Sequence, residues 1–481
     1  MSIQIHNTLT RASQTLKTLE PGEVRLYVCG PTVYDDSHIG HLMGPVLFDA
    51  MARWLIARGY RVRFVVNITD IDDKIIRRAA QTGEPWDSIA SRYTEQYFEH
   101  LRALGVATIT DHPRCTDFVP QMVRFIEDLI AQGRAYAAAD GVYFDVGQQE
   151  GYGKLSGRHL DDMQSGERVE RPGDLRHPAD FALWKLAKPG EPSWESPWGA
   201  GRPGWHLECS VMSSELLGPV FDIHGGGDDL KFPHHENEIA QSEAHGDAYA
   251  QLWMHHGLVQ FGGRKVAKSD PRMAEPEFAR QFNATWLRET YGAPTLRFFL
   301  LRGHYRRPID FEPTSVEGAR TGLQRLLADL GPLLDEPVAA ADLDELIGRD
   351  APASVAAHRD AFVRAMDNDF GTGEAVGALF SIAKEARALG GDEALAAKRL
   401  LRDLGRLLGL FQPGDLELVQ GAGKAEVDDA LVGGLVELLI ELRGEARERR
   451  DFATSDRVRD RLAELGIELK DGADGTTWDL A

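Results

Sequence analysis

Cysteine is scarce in this chain. Cys29, Cys115 and Cys209 are the only three, none stands in a Cys-x-x-Cys pair, and their odd number argues against a disulfide framework. A reducing compartment is therefore expected. Long apolar runs are missing as well: none approaches the roughly 20 residues that cross a bilayer, and Met1 to Leu16 is polar, without the apolar core of a secretion signal. The expectation is a cytoplasmic protein with no membrane partner. Positive charge is in deficit, with 54 Lys and Arg against 75 Asp and Glu and a formal net charge of −21. That imbalance repels a polyanion globally, so any nucleic-acid contact must come from local basic patches. Arg302 to Arg307 and Arg447 to Arg461 are two such patches, and each also reads as a plain solvated face. No internal repeat or low-complexity tract occurs.

What is present is an ordinary globular composition, 43% hydrophobic and 27% charged over 481 residues, long enough for about three domains. Within it, the tetrapeptide His38-Ile39-Gly40-His41 is the most informative feature. It follows the largely apolar run Val24 to Val28 and opens an amphipathic stretch, and Lys265-Val266-Ala267-Lys268-Ser269 is its expected partner far downstream. A Gly between two imidazoles at a strand-to-helix turn lets backbone approach a nucleotide, and the helix beyond offers unpaired N–H groups to phosphate. Two lysines on a loop would neutralise charge developing on departing pyrophosphate. The pair points to activation chemistry on ATP, although histidines at a helix start also serve as caps or packing.

The alternation of Arg25, Tyr27 and Cys29 with Leu26 and Val28 reads as a strand ending at Gly30-Pro31. Leu47, Met51, Trp54 and Leu55 then fall at helical spacing, and Arg61 to Ile68 is a second strand. Strand, phosphate turn, helix, strand begins an α/β fold, a doubly wound parallel sheet with its ligand at the carboxyl ends of the strands. Residues 1–118 are assigned to the first half of this nucleotide-binding catalytic domain, and 119–204 to an insertion with a helix, a hairpin at Ala139-Asp140-Gly141 and a loop-rich remainder. The second half, 205–255, carries a short strand, Phe221 to His224, leading into a Gly225-Gly226-Gly227 turn. The lysine-signature loop falls in 256–315. An α-helical bundle is expected over 316–411, marked by Leu323, Leu326, Leu327, Leu330, Phe362, Met366, Phe370, Leu400, Leu404, Leu407 and Leu408. A linker, 412–429, and a small α+β module of two helices and two strands, 430–481, complete the chain.

Cys29, Cys209, His234 and Glu238 are the candidate zinc ligands. His234 and Glu238, four apart after Pro233, project from one face of a helix, and Cys29 ends the first strand. His235 is a rival to His234, and the two cysteines could instead be packing residues.

Several segments carry a recognisable pattern: LYVCGPTVYDDSHIGH (26–41), NITDIDDKII (67–76), DFALWKLAKPGEPSWESPWGAGRPGWHLECS (180–210) and DIHGGGDDLKFPHHENEIAQSEA (222–244). LRFFLLRGHYRRPIDF (296–311), AMDNDF (365–370) and SDRVRDRLAELGIELKDGADGTTW (455–478) extend it across the chain. In these motifs the chain resembles the cysteinyl-tRNA synthetases, class I aminoacyl-tRNA ligases. The resemblance implies that Cys29, Cys209, His234 and Glu238 hold one zinc ion that takes substrate cysteine as a further ligand. Such a metal favours a thiolate, from a thiol titrating near ~8.5, over the far less acidic serine hydroxyl. Packing alone would give only ~100-fold selectivity between such similar side chains.

The resemblance also places Gly30, Thr69, Trp205 and His224 around the amino acid. His38, Gly40, His41, Gly225, Gly226, Gly227, Asp229, Lys265 and Lys268 fall at ATP, with His38, His41, Lys265 and Lys268 catalytic. The implied reaction joins cysteine to ATP as an adenylate, with Mg2+ accompanying ATP, and then acylates tRNA(Cys); a monomer is expected. Residues 256–315 would contact the tRNA stem and 430–481 would bind the anticodon, through Arg447, Phe452, Asp456 and Asp471. Two departures stand out. The family's usual Lys-Met-Ser-Lys-Ser is Lys265-Val266-Ala267-Lys268-Ser269 here, with Pro271 close behind, which keeps both charges but stiffens the loop. Phe452 stands where the family commonly has Trp; it keeps a stacking face, and reads alternatively as a core residue. The competing functional readings are a cysteine ligase acting on an amino sugar and a zinc- and RNA-binding protein without catalysis.

Overall fold

The structure, a computed structural model, describes residues 2–160, 175–246, 248–265, 271–337, 346, 351–422, 429–464, 467–472 and 475–480. It divides into two compact units, 1–422 and 423–481.

In the first unit, an antiparallel pair, β1 (Gln4–Asn7) and β2 (Ala12–Thr15), precedes β3 (Glu23–Val28), α1 (Ile39–Ala57) and β4 (Arg61–Val66). Leu26 to Val28 and Phe64 to Val66 are buried without interruption, as parallel strands covered on both faces require. Helices α2 (Asp73–Thr82), α3 (Trp86–Ala103) and α4 (Val119–Ala131) follow, then the antiparallel strands β5 (Ala135–Ala138), β6 (Gly141–Phe144), β7 (Phe181–Leu186) and β8 (Gly201–Pro203). The chain returns through α5 (Trp205–Leu217), β9 (Val220–Gly227), α6 (His234–His245) and β10 (Tyr249–His256). The central sheet has the order β10-β9-β3-β4, all parallel, which is the doubly wound arrangement expected.

Three local expectations are corrected. The remainder of the insertion is not simply loop, because β6, β7 and β8 form a sheet within it. Its glycines mislead because they serve strand approach: a Cβ on Gly204 would lie 1.9 Å from the Ala182 carbonyl oxygen. The Gly225-Gly226-Gly227 segment is not a turn but the end of β9, paired with Met254, His255 and His256 of β10. A Cβ on Gly225 would come within 2.3 Å of the Phe48 ring, so close packing of α1 on the sheet demands that glycine. The first half of the expected linker is a helix, Asp415–Gly421, with Val419 buried, Asp415 Oδ2 accepting from the Gln412 N–H at 2.8 Å, and Arg320 donating to the Val419 carbonyl at 3.1 Å.

Helices Pro313–Leu330, Ala353–Asp367, Thr372–Ala388 and Gly391–Leu407 make the bundle. Its marker residues are buried except Leu407, which is half-buried. One buried ion pair fastens it to α1. Asp49 accepts from Arg297 at 2.5 Å and Arg53 at 2.8 Å, and Arg297 also donates to the carbonyls of Leu104 and Leu408, both at 2.9 Å. Burial opposes ionisation of Asp49, but the two guanidinium groups outweigh it and hold the carboxyl at about 2. Because the folded value lies below the ordinary carboxylate value of ~3.9, this stabilisation is complete above that pH and is lost as pH falls through the folded value. Asp49→Ala strands Arg297 without a counter-charge. It should lower the unfolding free energy by about 3–5 kcal/mol at neutral pH, read by denaturant titration.

The second unit contains helices Asp429–Glu448 and Phe452–Glu464 and an antiparallel pair, Ile467–Gly472 with Gly475–Leu480, the two helices and two strands expected.

Candidate active site and metal centre

The crossover from β3 through α1 and that from β9 through α6 leave the sheet in opposite directions, so the chain diverges beyond the carboxyl ends of these neighbouring strands. Ligand clefts form at such switch points. A cavity of about 660 Å³ opens there, and its wall includes Cys29, Gly30, His38, Gly40, His41, Thr69, Trp205, Cys209, Gly227, Asp229 and His234. Residues separated by almost two hundred positions in sequence thus meet because β3 and β9 are adjacent.

The four candidate ligands converge beside the cavity, with Cys29, Cys209 and His234 in its wall. Cys29 Sγ lies 3.7 Å from Cys209 Sγ and 3.6 Å from Glu238 Oε1; His234 Nε2 lies 3.5 Å from Cys209 Sγ and 3.1 Å from Glu238 Oε1. A tetrahedral zinc with sulfur ligands at ~2.3 Å and nitrogen or oxygen at ~2.0 Å implies edges of about 3.8 Å between sulfurs, 3.5 Å from sulfur to nitrogen or oxygen, and 3.3 Å between nitrogen and oxygen. The donor set fits. Cys29, His224, His235 and Glu238 form a second, overlapping group among the described residues. In it, however, His224 Nε2 stands 2.7 Å from Glu238 Oε2, a hydrogen bond rather than a coordination edge, and His235 Nε2 is 4.0 Å from Glu238 Oε1. His235 Nε2 also lies 3.3 Å from Cys29 Sγ, so it is the 3.1 Å approach of His234 to Glu238 that favours His234 over its rival.

His224, which the resemblance places around the amino acid, is fully buried against Glu238. There it shares Oε2 with the Tyr249 hydroxyl, which donates at 2.7 Å. Burial opposes ionisation of Glu238, but His224 and His234 outweigh it and keep the carboxyl below its usual range. Burial likewise opposes a Cys209 thiolate; its bond with Cys29 and the neighbouring His234 prevail and bring it down to about 6, while burial, and then Cys209, push Cys29 up.

The start of α1 forms another part of the cavity wall. His38 is its N-cap: Nδ1 accepts from the Gly40 N–H at 3.1 Å, and His41 Nδ1 accepts from the His38 N–H at 3.4 Å. The two rings stack with centroids 3.7 Å apart. Capping and lining the cavity are therefore done by the same imidazoles. Of the three glycines, only Gly227 reaches the cavity wall. Val266 to Asp270 and the Lys265 side chain lie outside the described residues, so the placement of Lys265 and Lys268 is not part of the geometry.

The structure adds residues that the sequence reading passed over. Asn67 and Lys74 line the cavity, and both sit in the 67–76 motif. Glu208, beside Cys209, is fully buried and accepts from the Thr69 hydroxyl at 2.7 Å. Adjacency to known chemistry was the available signal for all three. In the second unit Phe452 is 61% exposed, which removes the core-residue reading, and Asp456 is exposed too. Asp471 is engaged within the unit: Arg443 grips both its oxygens at 2.7 Å and Arg447 lies 3.2 Å away. Arg443 first, then Thr476, hold that carboxyl well below the usual range.

Family models match two regions: residues 15–321 match the model described as "tRNA synthetases class I (C) catalytic domain", and 361–412 match the DALR domain. The chain is 47% identical over 481 residues to cysteine–tRNA ligase of Laribacter hongkongensis, covering 99% of both chains. The chain belongs to the cysteine–tRNA ligase family. A second member, from Chromobacterium violaceum, is 47% identical over 479 residues with the same coverage. Among solved structures, Mycobacterium tuberculosis methionyl-tRNA synthetase bound by methionyl-adenylate superposes with a TM-score of 0.56 over 90% of this chain and 96% of that one. At 16% identity this likeness speaks for the class I fold alone. The family match spans the nucleotide fold, its insertion and the lysine-signature region, and the DALR match falls on the helical bundle. Among the described residues, no helix is long and apolar enough to cross a membrane.

Proposed function

We propose that this protein ligates L-cysteine to tRNA(Cys) at the expense of ATP, through a cysteinyl adenylate. The observation that carries the reading is the convergence of Cys29, Cys209, His234 and Glu238 at tetrahedral spacing, the first three of them lining a cavity that the His38–His41 cap of α1 also lines. Zinc bound by those four residues supplies a soft Lewis acid that prefers a thiolate to a hydroxyl.

The chain's own residues do the positioning. Gly30, Thr69 and Trp205 surround the amino acid, and His224 acts from behind by orienting Glu238. His38, Gly40, His41, Gly227 and Asp229 hold the nucleotide, with Gly225 and Gly226 shaping the sheet beneath it. The cysteine carboxylate attacks the α-phosphorus in line, and Lys265 and Lys268 offset the charge gathering on departing pyrophosphate. Mg2+ accompanies ATP. The 256–315 region contacts the tRNA stem, and exposed Phe452 stacks on an anticodon base, with Arg447, Asp456 and Asp471 around it. The protein works in the cytoplasm as a monomer.

Two assays test this. Purified protein should catalyse cysteine-dependent ATP–pyrophosphate exchange and charge total tRNA with radiolabelled cysteine. Exchange without tRNA charging, with transfer to an amino sugar instead, would replace the tRNA reading by the small-molecule ligase. No exchange at all would leave only a binding protein.

A further inference from the structure

Thr69 stands in the wall of the same cavity as Cys29, Cys209 and the His38–His41 cap, and its side chain is tightly specified. Its backbone is fixed by an N–H bond to the Pro31 carbonyl at 3.1 Å and by the Val33 N–H at 3.3 Å. Its hydroxyl donates to Glu208 Oε2 at 2.7 Å and sits 3.3 Å from the Asn67 side-chain amide, whose oxygen accepts from the Gly30 N–H at 2.8 Å. A hydroxyl has one proton to give and two acceptor lone pairs. With the proton given to Glu208 and one lone pair turned to Asn67, what remains for the cavity is an acceptor.

Glu208 is 1% exposed in the first turn of α5, with the Cys115 thiol beside its carboxyl and Oε2 accepting from the Thr69 hydroxyl. Burying an acid costs stability that an apolar residue in its place would not. It does not reach the cavity itself. Its contact with the cavity wall is through Thr69.

We propose that Glu208 is a positioning residue that fixes the Thr69 hydroxyl as an acceptor for the α-ammonium of the substrate, making the amino group, beside the thiol, a second point of recognition. The inference rests on the cysteine-activating reading above. An ammonium carries three donors and no acceptor, so a hydroxyl free to turn its proton inward would repel it, whereas one pinned by Glu208 cannot. The same pinning gives nothing to a ligand that has the thiol and carboxylate but no amine.

The experiment compares cysteine with 3-mercaptopropionate, its analogue lacking the amine, as a competitive inhibitor of ATP–pyrophosphate exchange. In Glu208→Ala the KM for cysteine should rise roughly tenfold, with the inhibition constant for 3-mercaptopropionate, the KM for ATP and zinc content unchanged. Glu208→Gln keeps an acceptor for the Thr69 proton and should restore the wild-type KM. Thr69→Val should reproduce the selective loss, which keeps the proposal open to refutation should the alanine variant misfold. Parallel rises for cysteine and its analogue, no change for cysteine, or a glutamine variant as impaired as alanine would each overturn the role. Absence of cysteine-dependent exchange in the wild type would defeat the functional reading and this inference together; exchange with unaltered selectivity in the variants would defeat the inference alone.

Discussion

Cys209→Ser should release the metal and abolish most cysteine activation together. Cys209 is 1% exposed, 3.7 Å from Cys29 and 3.5 Å from His234, so a serine side chain fits the space but presents a protonated hydroxyl where a thiolate stood. Mutating a group that only supports a metal ligand commonly costs 10–100-fold in affinity. Replacing a ligand should cost more, at least ~100-fold, and cysteine-dependent exchange should fall by a similar factor. The folded core is not at stake, since the substitution conserves volume. Thermal unfolding in the presence of a chelator should therefore differ little between the two proteins. Elemental analysis after dialysis decides the matter: full zinc retention by the serine variant would remove Cys209 from the metal site.

Gly30→Ala is the second large effect, and its cause is steric. A Cβ at Gly30 would lie 1.7 Å from the Asn67 carbonyl oxygen and 2.9 Å from its carbon, both backbone atoms that cannot swing aside. The segment after β3 must move away from the loop after β4. That shift breaks the Gly30 N–H bond to Asn67 at 2.8 Å and drags the adjacent Cys29 out of its set of four. Overpacking of this kind costs about 1–3 kcal/mol or more. Cysteine activation should fall by at least ~100-fold, with zinc content reduced in parallel. Gly318→Ala is the matched control. That glycine lies exposed within the helix Pro313–Leu330 with open space around its Cβ position, so the same added methyl should stabilise the protein by up to ~1 kcal/mol. Equal activity in both variants would refute the close approach at Gly30.

Much of the fold was legible because it is locally encoded. The apolar runs of β3 and β4, the helical spacing of Leu47 to Leu55 and the bundle leucines follow the periods of strand and helix, and all but half-buried Leu407 are buried as read. Where the reading erred, one residue type served two purposes. Gly204 and Gly225 carried the composition of loops and turns but serve close approach, of strand to strand at Gly204 and of α1 to the sheet at Gly225, and the Asp415–Gly421 helix is too short and polar to show a period. In the anticodon module, exposed Phe452 could not be told from a core residue, because burial depends on what packs against a helix and not on the helix's own sequence.

The sequence by itself determined the chemistry on offer: two histidines at a helix start, thiols and an i, i+4 His–Glu pair suited to a soft metal, and motifs running the length of the chain. Residue identity and short-range spacing suffice for that. Only the tertiary structure shows that His234 Nε2 lies 3.1 Å from Glu238 Oε1 against 4.0 Å for His235, that His224 is buried against Glu238, and that the Thr69 hydroxyl donates to Glu208. These choices depend on distances across β3, β9, α5 and α6, which the crossovers of a parallel sheet fix through space and no local period records.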